Sequence, residues 1–195
     1  MNDAAARTAS VALAATLAIQ VYTSFAATAT AVLAPELARD FGVQASYVGL
    51  FVGIVYAGAM AASLACGSFI ERYGSIRVSQ VCVVFCALGV AAMVLAPASA
   101  MSLLALAAVV IGIGYGPITP ASSQLLQRTA PPSRMALTFS IKQTGVPAGA
   151  ALSGALLPAL ALASGWRVAF ALVALVGIVV VAASQPVRSG LDADR

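Results

Sequence analysis

The chain has no histidine, and among its 195 residues only 10 are Lys or Arg and 6 are Asp or Glu. Without histidine there are no Ser-His or Cys-His nucleophile pairs, and the commonest metal ligand is missing. None of the long apolar runs contains Asp or Glu; Glu36 and Glu71 sit at run ends. An intramembrane carboxylate relay is therefore not available within this chain. Cysteine is also sparse. Cys66, Cys82 and Cys86 all fall in apolar stretches, which fits small buried residues better than a disulfide framework or a thiol site. No basic patch is interleaved with aromatics, so nothing points to nucleic acid. No cofactor or metal is called for, and an enzyme is not the expectation.

Apolar sequence is what the chain has instead. Hydrophobic residues make up 62% and charged residues 8%, against roughly 45–50% and about 25% in soluble domains. The mean hydropathy is +1.01, and a bilayer-spanning helix needs about 20 apolar residues. The runs predict an all-α, polytopic membrane protein with six spans at about 8–33, 47–70, 76–95, 101–126, 135–162 and 168–183. Residues 1–187 form the membrane unit and 188–195 a polar cytoplasmic tail. Alternating ten-residue segments, the mark of a β-barrel, are absent. The fourth and fifth runs carry Pro117, Pro120, Pro147 and Pro158, which predicts kinked helices whose freed carbonyls are satisfied by neighbours. A cleaved leader ending near Ala27 or Ala29 is the other reading of the first run, but its length and the five runs that follow favour a span.

Basic residues divide unevenly between the two ends of such a bundle. With a cytoplasmic N-terminus, Arg7, Arg72, Arg77, Arg128, Arg134, Arg188 and Arg195 lie inside, and only Arg39 and Arg167 outside. This is the positive-inside pattern. It predicts a multi-pass protein of the plasma membrane, the inner membrane in a bacterium, with both termini cytoplasmic.

The spans also differ in polarity. Span 1 has Thr16, Gln20, Thr23 and Thr30 on one face, span 4 has Gly112, Tyr115, Thr119 and Ser122 or Ser123, and span 5 has Thr138, Lys142, Gly145, Gly149 and Ser153. Spans 3 and 6 read as nearly featureless. Polar stripes face a protein interior or a watery cavity, so spans 1, 4 and 5 are expected at the centre and spans 3 and 6 at the periphery. The glycines of Gly112-Ile-Gly-Tyr-Gly116 read as helix packing rather than a phosphate loop. Polar-faced spans open each triplet and apolar ones close it, the layout of a 3+3 inverted repeat. Gln20, Tyr115, Thr119, Lys142 and Gln143 are the candidate pathway residues. Lys142 lies eight residues past Arg134, about 12 Å along a helix; it either faces a cavity, where it suits an anionic substrate, or snorkels to the headgroups.

The stretch GSFIERYGSIR, Gly67 to Arg77, joins spans 2 and 3. It resembles the signature loop of the major facilitator superfamily, Gly-x-Leu-x-Asp-Arg-x-Gly, with Gly67, Glu71, Arg72 and Gly74 in place, Phe69 for Leu and Arg77 as the following basic residue. PELARDFGV at 35–43, Gly112-x-Gly114, Gly145-Val-Pro147-Ala-Gly149 and GWRVAF at 165–170 agree in order. The resemblance implies the N-terminal six-helix half of a twelve-span secondary transporter that moves a small solute by alternating access. It implies that Gly67, Glu71, Arg72, Gly74 and Arg77 form a cytoplasmic gating latch. The family's Arg on span 4 is replaced by Ala108, which argues against a drug:proton antiporter. Expected partners are the lipid bilayer, a small-molecule substrate and a second six-helix half, supplied by a homodimer, another polypeptide or a missing C-terminal half. The alternative is a non-transporting membrane partner or assembly subunit.

Overall fold

The computed structural model describes residues 3–44, 46–97 and 100–193, with side chains from residue 5 onward. Arg195, counted above with the inner charges, lies outside the described residues. Every regular element among these residues is helical, and six helical segments are long and apolar enough to cross a bilayer. In lipid this is the expected answer, because a helix satisfies its backbone polar groups internally.

Span 1 is α1, Asp3–Val32, followed by the short amphipathic α2, Ala34–Phe41. Pro35 opens α2 and Gly42 closes it in a left-handed cap, with Val43 N bonded to Ala38 O at 2.9 Å. Span 2 is α3, Tyr47–Ala65; after a slight break at Cys66 the chain continues as α4, Gly67–Tyr73. Span 3 is α5, Ser75–Leu95. Span 4 comprises α6, Met101–Tyr115, and α7, Ile118–Thr129, joined at Gly116-Pro117 with both residues still right-handed helical. A 3-10 turn, Pro132–Arg134, leads into span 5, which is α8, Met135–Gln143, and α9, Gly145–Ser164. The proline-bearing spans 4 and 5 are thus interrupted, as is span 2 at Cys66. Span 6 is α10, Trp166–Leu191, and it runs through Pro186, so the first residues of the expected tail are helical.

Span 1 packs along span 5, span 2 along span 4, and span 3 along both span 4 and span 6. Lipid offers no hydrophobic drive to bring helices together, so close packing by small residues has to do it. On α9 the buried positions are Gly145, Gly149, Ser153 and Leu157, one every fourth residue. A side chain at Gly149 would run into the backbone of Val21 on span 1. Ser24 Oγ donates across the same seam to Val146 O at 2.7 Å. Span 4 uses glycine in the same way: Gly112 and Gly116 lie against Val55 and Ala59 of span 2, and Gly114 against Cys82 and Cys86 of span 3. The Gly-rich segment is helix packing, as its sequence suggests.

Burial within this half follows a different order from polarity. Span 3 is half buried, whereas span 5 is only 17% buried. Ser79, Cys82, Cys86, Ala87 and Gly89 make span 3 a packing helix between two neighbours, and Gln80 Nε2 donates to Ser184 Oγ of span 6 at 3.1 Å. Its apolar appearance reflects small side chains turned inward. Span 5 buries a single stripe and leaves Leu137, Ile141, Leu152, Leu156 and Leu162 exposed.

The two ends of the bundle are distinguished by their clusters. At one end Ala12, Ile76, Leu125, Leu126 and Leu191 pack together, bringing the starts of spans 1 and 3 to the ends of spans 4 and 6. The GSFIERYGSIR loop lies here, and this is called the near end. At the far end Phe41 of α2 meets Trp166 at the start of span 6, ring centroids 5.8 Å apart.

Candidate translocation pathway and gating loop

Lys142 stands in the last turn of α8, two residues before the break at Thr144, and is 1% exposed. Its side chain is thus almost wholly covered within this half. Among the described residues its side chain makes no hydrogen bond or ion pair. Gln20, also 1% exposed, packs against Gly145, one turn farther along the same face, and its Oε1 has no hydrogen-bond partner among the described residues. Gln20 and Lys142 therefore share the span 1–span 5 seam, a buried amide and a buried amine each short of partners.

The other candidates sit differently. Tyr115 is half-buried and meets Tyr56 of span 2 edge-on, centroids 6.1 Å apart. Thr119 and Gln143 are exposed on this half. Two cavities flank the bundle. One of about 640 Å³ opens at the far end among Thr30, Phe41, Gln44, Tyr47, Phe51 and Met93. The other, about 630 Å³, is an apolar groove at the near end lined by Cys66, Phe69, Tyr73, Arg77, Val81 and Phe85. None of the five pathway residues lines either cavity.

In the loop, α4 carries Glu71 and Arg72 outward, both exposed, with the Arg72 guanidinium 5.4 Å from the Tyr73 ring centre. Glu71 makes no ion pair among the described residues. Gly74 then turns the chain with φ 89° and ψ 155°, a region open essentially to glycine. Gly67 is helical and meets open space, so of the two loop glycines only Gly74 sits at a close approach. Arg77 is exposed in the first turn of α5.

Two aspartates escaped the sequence reading. Asp40, at the end of α2, forms an ion pair with Arg167 at 2.8 Å and accepts a 3.2 Å hydrogen bond from Trp166 Nε1. Asp192 accepts hydrogen bonds from the backbone of Ile76 at 2.9 Å and of Arg77 at 3.0 Å. Both partners are far away in sequence and neither contact leaves a local motif. The acid in PELARDFGV and the basic residue in GWRVAF were the only hints.

Comparison with known proteins places this architecture. The chain is 27% identical over 151 residues to a hexuronate transporter of Bacillus subtilis (strain 168), an alignment covering 77% of this chain and 35% of the relative. The aligned part thus spans about a third of that relative's length. A sequence profile of the Major Facilitator Superfamily matches residues 16–189. With six apolar helices in the order that the signature loop requires, the chain belongs to the Major Facilitator Superfamily, a family of membrane transporters rather than enzymes.

Proposed function

We propose that this chain is one six-helix half of a secondary transporter that moves a small organic anion by alternating access. Buried Lys142 carries the reading. A lysine 1% exposed, without a carboxylate beside it, is costly to keep charged, and the described residues offer it none. A substrate carboxylate supplies the missing charge when the seam opens at the Thr144 break. Gln20, left with an unpaired Oε1, would bind a hydroxyl or the protonated side of the same solute, while Tyr115, Thr119 and Gln143 face the path from outside the seam. The relative's name fits, since a hexuronate is a sugar acid bearing one carboxylate.

In this reading the near end, rich in arginine, is cytoplasmic with both termini, and the membrane is the bacterial inner membrane. Spans 1–3 and 4–6 form the inverted repeat: the pairings of span 1 with span 5 and span 4 with span 2 exchange when the triplets are swapped. A second half, from another copy or another polypeptide segment, closes the path. The mass of the purified protein, with detergent subtracted, separates a dimer from a single copy.

The functional test is uptake of radiolabelled glucuronate by proteoliposomes holding the assembled protein. Lys142→Met should lower uptake by at least about tenfold, the scale of one charge-assisted contact, and Lys142→Arg should retain part of it. Unchanged uptake in Lys142→Met, at equal incorporation, overturns the anion reading. Uptake in neither wild type nor variant, from a protein of verified mass, favours the non-transporting alternative.

A further inference from the structure

The first turn of α5 has a backbone problem that the structure solves from a distance. The amides of Ile76 and Arg77 precede the first intrahelical donor, Val78 N, which bonds to Gly74 O at 3.1 Å. Helix starts leave such amides without carbonyls, and a Ser, Thr, Asp or Asn at the cap normally takes them. Gly74 stands at the cap and has no side chain. Asp192, immediately after α10, takes both instead: Oδ1 accepts from Ile76 N and Oδ2 from Arg77 N, across more than a hundred residues of sequence. The carboxylate also meets the positive end of the helix. A side chain at Gly74 would occupy the space where Asp192 lies, and Asp192 N is itself held by Arg188 O at 2.9 Å. Beneath this contact Leu191 closes the near-end cluster of Ala12, Ile76, Leu125 and Leu126.

Gly74 is also the hinge from which α4 departs, and α4 carries exposed Glu71 and Arg72. We propose that Asp192 is a positioning residue for the gating loop: by tying the end of span 6 to the first turn of span 3, it fixes the direction in which Glu71 and Arg72 are presented. The proposal rests on the reading of this loop as a gate. It adds to that reading a fixed point outside the loop. Glu71 is left exposed for a partner because the helix end that would attract it within this half is already occupied by Asp192.

The test uses the whole protein in lipid nanodiscs, with Asp192→Ala, the near-isosteric Asp192→Asn and the conservative Asp192→Glu. Two quantities are read. One is hydrogen exchange at the Ile76 and Arg77 amides. The other is the width of the distance distribution between spin labels at Glu71→Cys and Gln127→Cys in a background whose natural cysteines are alanine. Asp192→Ala and Asp192→Asn should speed exchange at those two amides by roughly tenfold, the scale of a lost charged cap, without changing amides in the middle of span 3. They should also broaden the distribution, and Asp192→Glu should reverse part of both effects. Unchanged exchange overturns the tie. Faster exchange with an unchanged distribution leaves Asp192 a local cap and overturns the positioning role. Failure of the gate reading shows separately: Glu71→Gln would then leave glucuronate uptake unaltered while the Asp192 effects persist, and the loop that Asp192 positions would not be a gate.

Discussion

Gly74 and Gly165 adopt nearly the same conformation, φ 89° and ψ 155° against φ 85° and ψ 153°, at opposite ends of the bundle. Each precedes the first residue of the last span in its triplet, and each neighbourhood is held by an aspartate from elsewhere in the chain. The means differ. Asp192 grips backbone amides in space that only a glycine leaves open, whereas Asp40 holds the side chains of Trp166 and Arg167, and Gly165 meets nothing within 4 Å. The same backbone turn is thus needed for one reason at the far end and for two reasons at the near end.

The largest expected effect is at the double requirement. Gly74→Ala places a side chain in a strained region and displaces Asp192, which should cost about 2–5 kcal/mol, read as a fall in thermal midpoint in a fixed detergent. Adding Asp192→Ala to that variant should cost less than the sum of the two changes, because both remove the same contact. Strict additivity would break the comparison. Gly165→Ala carries the strain alone, about 1–3 kcal/mol, and a loss equal to that of Gly74→Ala would show that Asp192 contributes nothing. Asp40→Asn is the smallest. Arg167 and Asp40 are 42% and 38% exposed, so screening should hold the loss below about 1 kcal/mol. That loss should shrink further in high salt, as an exposed pair requires.

Much of this molecule is legible in sequence because lipid leaves the backbone few options. The six runs, the helix breaks near Pro117 and Pro147 and the loop from Gly67 to Arg77 all follow from hydropathy, missing amides and short local patterns. The packing of span 3 is hidden for an equally physical reason. Its Cys82, Cys86 and Gly89 look apolar whether they face lipid or a neighbouring backbone, and only the packing partner tells the two apart. Lys142 stood out as a charge out of place, but its burial beside Gln20 and Gly145 depends on the seam formed by spans 1 and 5. The roles of Thr119 and Gln143 stay open to the uptake test, since exposure on one half does not say what they face.

By itself, then, the sequence determined the solvent, the number of spans, the family's signature loop and the residues too polar for their surroundings, because each is a property of a segment of about 20 residues or fewer. The tertiary structure alone decided which span faces which, that Lys142 lies inside rather than at the surface, and that Asp40 and Asp192 hold the first turns of spans 6 and 3. Those contacts join positions more than a hundred residues apart, and no local preference encodes a partner that only folding brings near.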